Sequence, residues 1–429
     1  MANNSKKRSI NIGFVLTRFA GNDGVSLETQ KWVDVLEQMG HRCFFLSGQC
    51  DYGEPDTCHT LPEADFKQKD INEISSVAFS NRKRPIDITN KIHKLRKYFK
   101  DQIYQFVKDF EIQLIIAENS LSIPMNIPLG MGLTEYIAET GIPTIAHHHD
   151  FFWERQRFFT NCIGDFLSMA FPPLLPSIQH VVINSLAEAE LSRRTGISSM
   201  IIPNVMNFEN PPAPADEYTK DIRFALGIAD DEFMFLQPTR VVQRKGIEHA
   251  IELIRQTGLN AKLVISHASG DEGFEYEQRV KSYAELLDVS VNFVSKIIQN
   301  ERGLTDDGNK VYTLGDAYQH ADLVTYPSTI EGFGNAFLEA IYYRKPLFVN
   351  NYSIFDMDIK PKGFKVIDFD GYITKETARR TCQLLADQKK IKDMVNTNYS
   401  LGKRHYSYAA LRRRLQTLIS ASFGENKAI

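Results

Sequence analysis

Two glutamates frame a glycine loop in the stretch LVTYPSTIEGFGNAFLEAIYYRK, residues 323–345. LVTYP is a short apolar run stopped by a proline, which predicts a buried strand. NAFLEAIYY places Phe337, Leu338 and Ile341 at helical spacing, with Asn335 at the helix start and Pro346 beyond its end. Glu331 then lies on the loop and Glu339 inside the helix. A helix start offers unpaired backbone N–H groups and a partial positive charge, which suit a phosphate. Gly332 and Gly334 let a ligand approach the backbone. Carboxylates on either side can accept hydrogen bonds from the paired hydroxyls of a sugar and a ribose. Phosphate between hydroxyls describes a nucleotide sugar. The plainer reading is an ordinary strand-to-helix turn with a solvated Glu331 and a chance Glu339.

Two further groups could do chemistry. FMFLQPTR (233–240) predicts a strand and VVQRKG (241–246) a basic loop, so Arg240 and Lys245 share one turn. Two cations on a phosphate-sized loop can balance a pyrophosphate; solvated surface charge is the alternative. PTIAHHHDFFWERQRF (143–158) runs from a strand into His147, His148, His149 and Asp150, then Phe151, Phe152, Trp153, Arg155 and Arg157. Polar residues past the C-terminal end of a strand sit where open α/β sheets bind ligands. A metal site is disfavoured here, because adjacent residues on an extended chain point in opposite directions.

The elements that must position these residues form two similar halves. INIGFVL (10–16) reads as a parallel strand covered on both faces. The loop TRFAGNDG, a helix over 26–39 capped by Gly40, and the strand CFFLSG (43–48) complete a βαβ unit. The first turn is not GxGxxG, which argues against an ordinary dinucleotide fold. Residues 49–80 carry no assignable pattern. Residues 81–110 hold nine Lys/Arg against three Asp and place Ile92, Leu95, Phe99, Ile103, Phe106 and Phe110 at helical spacing after Pro85. That helix either packs on the sheet or offers a basic face to an anionic acceptor or a membrane surface. LIIAEN (114–119), HVVINS (180–185) and MIIPNV (200–205) read as further strands. NFENPPAPADEY (207–218) reads as a linker. The second half adds the strands KLVISH (262–267), VNFVS (291–295), LVTYP and PLFVNN (346–351). Tyr406 to Phe423 reads as a helix with Leu411, Leu415, Leu418 and Ile419 on one face. The expected organisation is an N-terminal domain over 1–206, a second over 207–400, and a C-terminal helical segment, 401–429, packing back toward the first.

Composition bounds the rest. The chain has 429 residues, a soft prior for two or three domains. A net charge of −3 gives no ground for a nucleic-acid partner. The polar start MANNSKKRS shows no signal peptide, and no apolar stretch approaches the roughly 20 residues of a membrane span. Five cysteines, Cys43, Cys50, Cys58, Cys162 and Cys382, with no CxxC, read as buried or free thiols in a reducing cytoplasm.

TRxxxxKG, then EGFGxxxxE, with an earlier HD after a strand, resembles the retaining glycosyltransferases of family 4. The resemblance covers nearly the whole chain. It implies the GT-B fold, two Rossmann-like doubly wound α/β domains facing each other across a cleft. It implies transfer of a hexose from a GDP-mannose or UDP-glucose type of donor, without a metal or other cofactor. Arg240 and Lys245 would hold the diphosphate and stabilise the departing nucleotide. Glu331 would bind the donor sugar, Glu339 the ribose, and N–H groups near Gly334, Asn335 and Ala336 the phosphate or sugar. Gly24 would approach the diphosphate from the first domain, although AGNDG departs from the commoner Gly-Gly pair. His149 matches the active-site histidine that contacts the donor sugar; His147 and His148 have no family role.

A glycosidase needs two carboxyls about 5 to 9.5 Å apart, whereas Glu331 and Glu339 would lie roughly 12 Å apart along a helix. A phosphorylase would need a pyridoxal lysine and a dehydrogenase GxGxxG; neither motif is present. A non-catalytic nucleotide-sugar binder is the alternative outside enzymes. The acceptor reads as small and anionic or sugar-bearing, leaning to a glycosylated hydroxy acid, with a lipid or polysaccharide as rival. Membrane contact is not favoured. Glu331→Ala and Lys245→Ala are expected to abolish transfer in a folded protein.

Overall fold

The computed structural model describes residues 9–21, 23–269 and 274–423. The polar N-terminal stretch up to residue 8, and Asn22 of the first glycine loop, lie outside the described residues. The chain divides into two compact units, Met1–Val205 with Tyr408–Ile429, and Met206–Ser407.

The first unit carries seven parallel strands among its described residues: β1 (Asn11–Val15), β2 (Arg42–Ser47), β3 (Cys58–Thr60), β4 (Leu114–Glu118), β5 (Thr144–His148), β6 (Ile178–Val182) and β7 (Ser199–Ile201). Their order is β3-β2-β1-β4-β5-β6-β7. Its helices are α1 (Gly24–Gln38), α2 (Lys69–Ser80), α3 (Ile86–Asp109), α4 (Ile127–Thr140), α5 (Gly164–Ala170) and α6 (Ser185–Thr195). Alternate residues of a strand face opposite sides, so the sheet feeds two cores. Ile12, Phe14 and Ile116 meet Trp32 and Leu36 of α1 on one face. Val15, Ile115 and Ala117 meet Phe99, Ile103 and Phe106 of α3 and Leu133 of α4 on the other. A fully buried phenylalanine such as Phe99 contributes about 1.5–3 kcal/mol.

Part of the basic face of α3 is engaged. Lys91 reaches Asp70 at 2.9 Å and Glu73 at 2.7 Å on α2. Arg96 pairs with Glu135, and Lys100 reaches Glu139 at 2.6 Å, both on α4. Arg84, just before α3, binds Asp165 of α5 at 2.7 Å. These acids lie on neighbouring helices and offset part of the α3 charge, while Lys94, Lys97 and Lys108 remain exposed.

Two more expectations change. Residues 49–80 are ordered into β3 and α2, the latter burying Ile71, Ile74 and Ala78. Cys50 and Cys58 form a disulfide rather than free thiols, their Cα atoms 6.7 Å apart and within reach of such a bond. The pairing of Phe45 with Cys58 between β2 and β3, and the bridge from Phe19 to Cys50, bring them together.

The second unit is again a parallel sheet, β8 (Phe233–Gln237), β9 (Ala261–Ile265), β10 (Val291–Phe293), then β14 (Leu323–Tyr326), β15 (Leu347–Asn350) and β16 (Ile367–Phe369), ordered β10-β9-β8-β14-β15-β16. Between these, β11 (Ile298–Gln299), β12 (Gly303–Leu304) and β13 (Lys310–Thr313) make a small separate sheet. Its helices are α7 (Ile222–Ala225), α8 (Ile247–Thr257), α9 (Glu275–Leu286), α10 (Leu314–His320), α11 (Asn335–Tyr342), α12 (Lys375–Leu385) and α13 (Gln388–Tyr406). The stretch read as one helix from Tyr406 is broken at Ser407: α13 ends in the second unit, and α14 (Tyr408–Phe423) belongs to the first. Leu411, Leu415, Leu418 and Ile419 of α14 are buried in the first unit's core. Among the described residues no helix is long and apolar enough to cross a membrane.

Candidate functional site

In the second unit two loops at the C-terminal ends of neighbouring strands are stitched together. Gly246 has φ +58°, and a Cβ there would lie 2.6 Å from the Pro327 carbonyl oxygen; only glycine permits that approach. The Thr329 N–H donates to the Arg244 carbonyl at 2.8 Å. The β8 loop thereby delivers Lys245 to Glu331 of the β14 loop. Lys245 Nζ donates to Glu331 Oε1, and the Arg244 guanidinium lies 3.3 Å from Glu331 Oε2. The Lys245 and Glu331 side chains are each 10% exposed. Burial lowers the Lys245 pKa, with Glu331 opposing. Burial would raise that of Glu331, but Lys245 and Arg244 outweigh it and hold the carboxyl below its usual value. Arg240, exposed on the same loop, adds to the positive field felt by Lys245.

The β14 loop leads into α11. Gly334 has φ +128°, and a Cβ would meet the Tyr352 hydroxyl at 2.7 Å. Gly334 is the N-cap, with no side-chain cap, and the helix starts at Asn335. Ala336 is buried behind it. On α11, Glu339 accepts a hydrogen bond from the buried Tyr318 hydroxyl at 2.9 Å. Both carboxylates are thus held, Glu331 on the loop and Glu339 on the helix.

In the first unit the histidine run ends β5. Parallel pairing sets Glu118, the last residue of β4, opposite His147. His147 and His149 are two residues apart and turn to the same side. His147 Nδ1 lies 3.0 Å from both Glu118 oxygens, and His149 Nε2 lies 3.3 Å from Oε2. Burial would raise the Glu118 carboxyl, but the two imidazoles hold it down at about 2. Burial lowers His147 despite Glu118. Burial also opposes charge on His149, but Glu118 overrides it and raises its pKa. The neighbouring Asn119 holds the backbone: its Oδ1 accepts the His149 N–H at 3.0 Å and its Nδ2 donates to Asp150 at 3.0 Å. Asp150 also pairs with Arg155.

His148 turns the other way, its Nε2 lying 2.9 Å from His180 Nδ1. Glu118, His147 and His149 present ligand atoms within 4.8 Å of one another, close enough for one metal ion. Adjacent histidines do turn to opposite sides, as expected, but the alternate pair His147 and His149 brings two ring nitrogens to the Glu118 side. The imidazole hydrogen bonds account for the carboxylate without an ion.

Gly24 is exposed at the first turn of α1, two residues earlier than the expected helix start. Asp23 caps that helix, its Oδ1 accepting the Val25 and Ser26 N–H groups at 3.0 Å. These two N–H groups are therefore already partnered, unlike a bare helix terminus.

Residues 219–400 match the family described as glycosyl transferases group 1. The chain is 32% identical to a mannosylglucosylglycerate synthase of Petrotoga mobilis, over 83% of this chain and 86% of that one. It is 31% identical to the mannosylglucosylglycerate synthase of Thermotoga maritima, over 93% and 96%. The chain belongs to this glycosyltransferase family. Its fold is GT-B: a sucrose-phosphate synthase from Thermosynechococcus elongatus superimposes with a TM-score of 0.67 over 97% of this chain and 100% of that one, at 15% identity. Such an enzyme moves a hexose from a nucleotide-diphosphate sugar, its donor substrate, to a small acceptor.

Against that family background, three contributors went unchosen from sequence. Glu118 and Asn119 end the strand LIIAEN, and the rule that ligand sites gather at strand C-termini could have flagged them. Arg244 sat in the basic loop beside the chosen Lys245. Glu331, Lys245 and Arg244 are brought together. Glu339 is hydrogen-bonded by Tyr318, and His149 shares the Glu118 carboxylate with His147.

Proposed function

We propose that this chain is a retaining mannosyltransferase that transfers mannose from a nucleotide-diphosphate donor to glucosylglycerate, forming mannosylglucosylglycerate. The observation that carries the reading is the near full-length likeness to two synthases named for that product. The buried Lys245–Glu331 pair supports it, because a donor site needs charges fixed before the ligand arrives.

In this reading Arg240 and Lys245 stabilise the diphosphate as the anomeric bond breaks, the charge-stabilising role that preorganised cations serve best. Glu331 keeps Lys245 in place and accepts from the sugar hydroxyls. Glu339 accepts from the ribose. N–H groups around Gly334, Asn335 and Ala336 add dipoles toward the phosphate. His149 serves the reacting sugar from the first unit. Gly24 contributes less, since Asp23 already takes the helix N–H groups beside it. The leaving diphosphate is then stabilised by the protein's own cations, and no metal is required.

The test is a transfer assay with GDP-mannose, UDP-glucose and ADP-glucose against glucosylglycerate, with the product read by mass spectrometry and its anomeric configuration by NMR. An α-mannosylated glucosylglycerate from an α-linked donor is expected. Donor binding without any product would leave a nucleotide-sugar binder, and product only on a lipid or polysaccharide would replace the acceptor.

A further inference from the structure

Glu118 is a carboxylate with 2% of its surface exposed, at the end of a parallel strand. Nothing in the donor chemistry above uses it. Yet both of its oxygens are committed to two histidines of one run, and one of those histidines is His149. Burying a carboxylate is costly unless it is fully hydrogen-bonded, so the arrangement is maintained against a penalty. Further contacts hold both histidines. Trp32 of α1 stacks on His147 with centroids 4.1 Å apart, which fixes the first imidazole and, through it, the carboxylate. Asn119 fixes the His149 backbone N–H.

An imidazole has two nitrogens, and the partner of one decides what the other presents. With Nε2–H committed to Glu118, a neutral His149 ring carries its lone pair on Nδ1. We propose that Glu118 is a positioning residue for glycosyl transfer, aiming the His149 ring and setting its tautomer while His147 holds the carboxylate from the other side. This rests on His149 serving the reacting sugar, as proposed above. Glu118 itself touches no substrate in this account; it acts through His149.

The test combines kinetics with spectroscopy. In Glu118→Gln the side chain keeps its size, but its amide NH2 must face one imidazole, which then has to present a lone pair instead of a proton. The expected result is a kcat lower by about ten- to a hundredfold, the scale known for losing the hydrogen-bond partner of a metal-bound histidine, with the donor KM within about threefold. Glu118→Gln combined with His149→Ala should be no slower than His149→Ala alone. Effects that multiply would overturn the proposal, because Glu118 would then act independently of the ring. So would a normal kcat with only a lowered melting temperature.

Long-range 1H–15N spectra of the imidazoles in the unaltered protein, assigned with His149→Asn, give a second readout that needs no Glu118 variant. A proton on His149 Nε2 supports the account, and a proton on Nδ1 alone overturns it. One equivalent of bound metal per chain by elemental analysis would also overturn it, since the three side chains would then be ligands. If the protein shows no transfer, or His149→Ala is as fast as the parent, the transferase reading is what fails, and the imidazole spectra still decide the Glu118 contact.

Discussion

Lys245 and Glu331, 86 residues apart in the chain, form an ion pair that is nine-tenths buried between two loops. Removing Glu331 leaves the buried Lys245 ammonium uncompensated, at a cost of roughly 3–5 kcal/mol, whereas removing Lys245 leaves Glu331 with Arg244 and costs less. Lys245→Ala and Glu331→Ala should therefore both have a lowered urea midpoint as well as abolished transfer, while still folding as the sequence reading expects, with the larger midpoint shift in Glu331→Ala. Lys245→Met combined with Glu331→Gln removes both charges and should recover most of the stability with no recovery of rate. A double variant no more stable than the worse single would show that the pair is not the source of the loss.

The close approach at Gly246 makes a separate prediction. Gly246→Ala puts a Cβ against the Pro327 carbonyl at a backbone angle that disfavours it. About 1–3 kcal/mol of strain is expected, together with a raised donor KM, because the loop carrying Lys245 must shift. Gly258→Ala has a similar φ of +63° but nothing within 4 Å, so it should cost stability and leave the donor KM alone. Equal donor KM values for both variants would rule out the steric part of the account.

Acid should destabilise the first unit through His148 and His180. Both imidazoles are held neutral by burial, with His180 at about 4. His147 and His149 add to the positive field around His148, while Phe151 packs on its ring. A histidine with a depressed native pKa takes up its proton more readily when unfolded. Stability is thus full above about pH 6.5 and falls as the pH drops toward 4, by about 3 kcal/mol for His180. Urea titrations at pH 7 and 5 check this, and His180→Gln should flatten the dependence.

The α3 surface predicts a null effect. Arg96 and Lys100 are tied to α4 acids, so Arg96→Ala or Lys100→Ala should change stability by about 1 kcal/mol or less. Acceptor KM should not move. A raised acceptor KM in either variant would restore the basic-face reading.

What could be read in advance follows from the range of the interactions. The strand, glycine loop and helix around Glu331 were legible because proline, glycine and helical spacing are local signals. The two-sheet organisation was legible because the central strands β1, β2, β4 and β8 lie in largely apolar runs. Glu118 was not, since its meaning depends on β4 pairing with β5 in a register that sets it opposite His147. β3 and α2 were missed because three residues make too short an apolar run, and Ile71, Ile74 and Ala78 are sparse among polar neighbours. The partial neutralisation of α3 was invisible for the same reason as Glu118: its counter-charges lie on α2, α4 and α5. The Asp23 cap was local, and a closer reading of Asp before a helix would have found it.

The most direct measurement for the donor site is calorimetric binding of GDP-mannose and UDP-glucose to the parent and to the charge-free pair Lys245→Met, Glu331→Gln, with folding checked in each. The account predicts that the parent binds one of the two donors, and that the charge-free pair, though folded, binds it at least about a hundredfold more weakly, equivalent to about 2.7 kcal/mol. Equal affinity in the folded charge-free variant would contradict it, because the ion pair would then have no part in holding the donor.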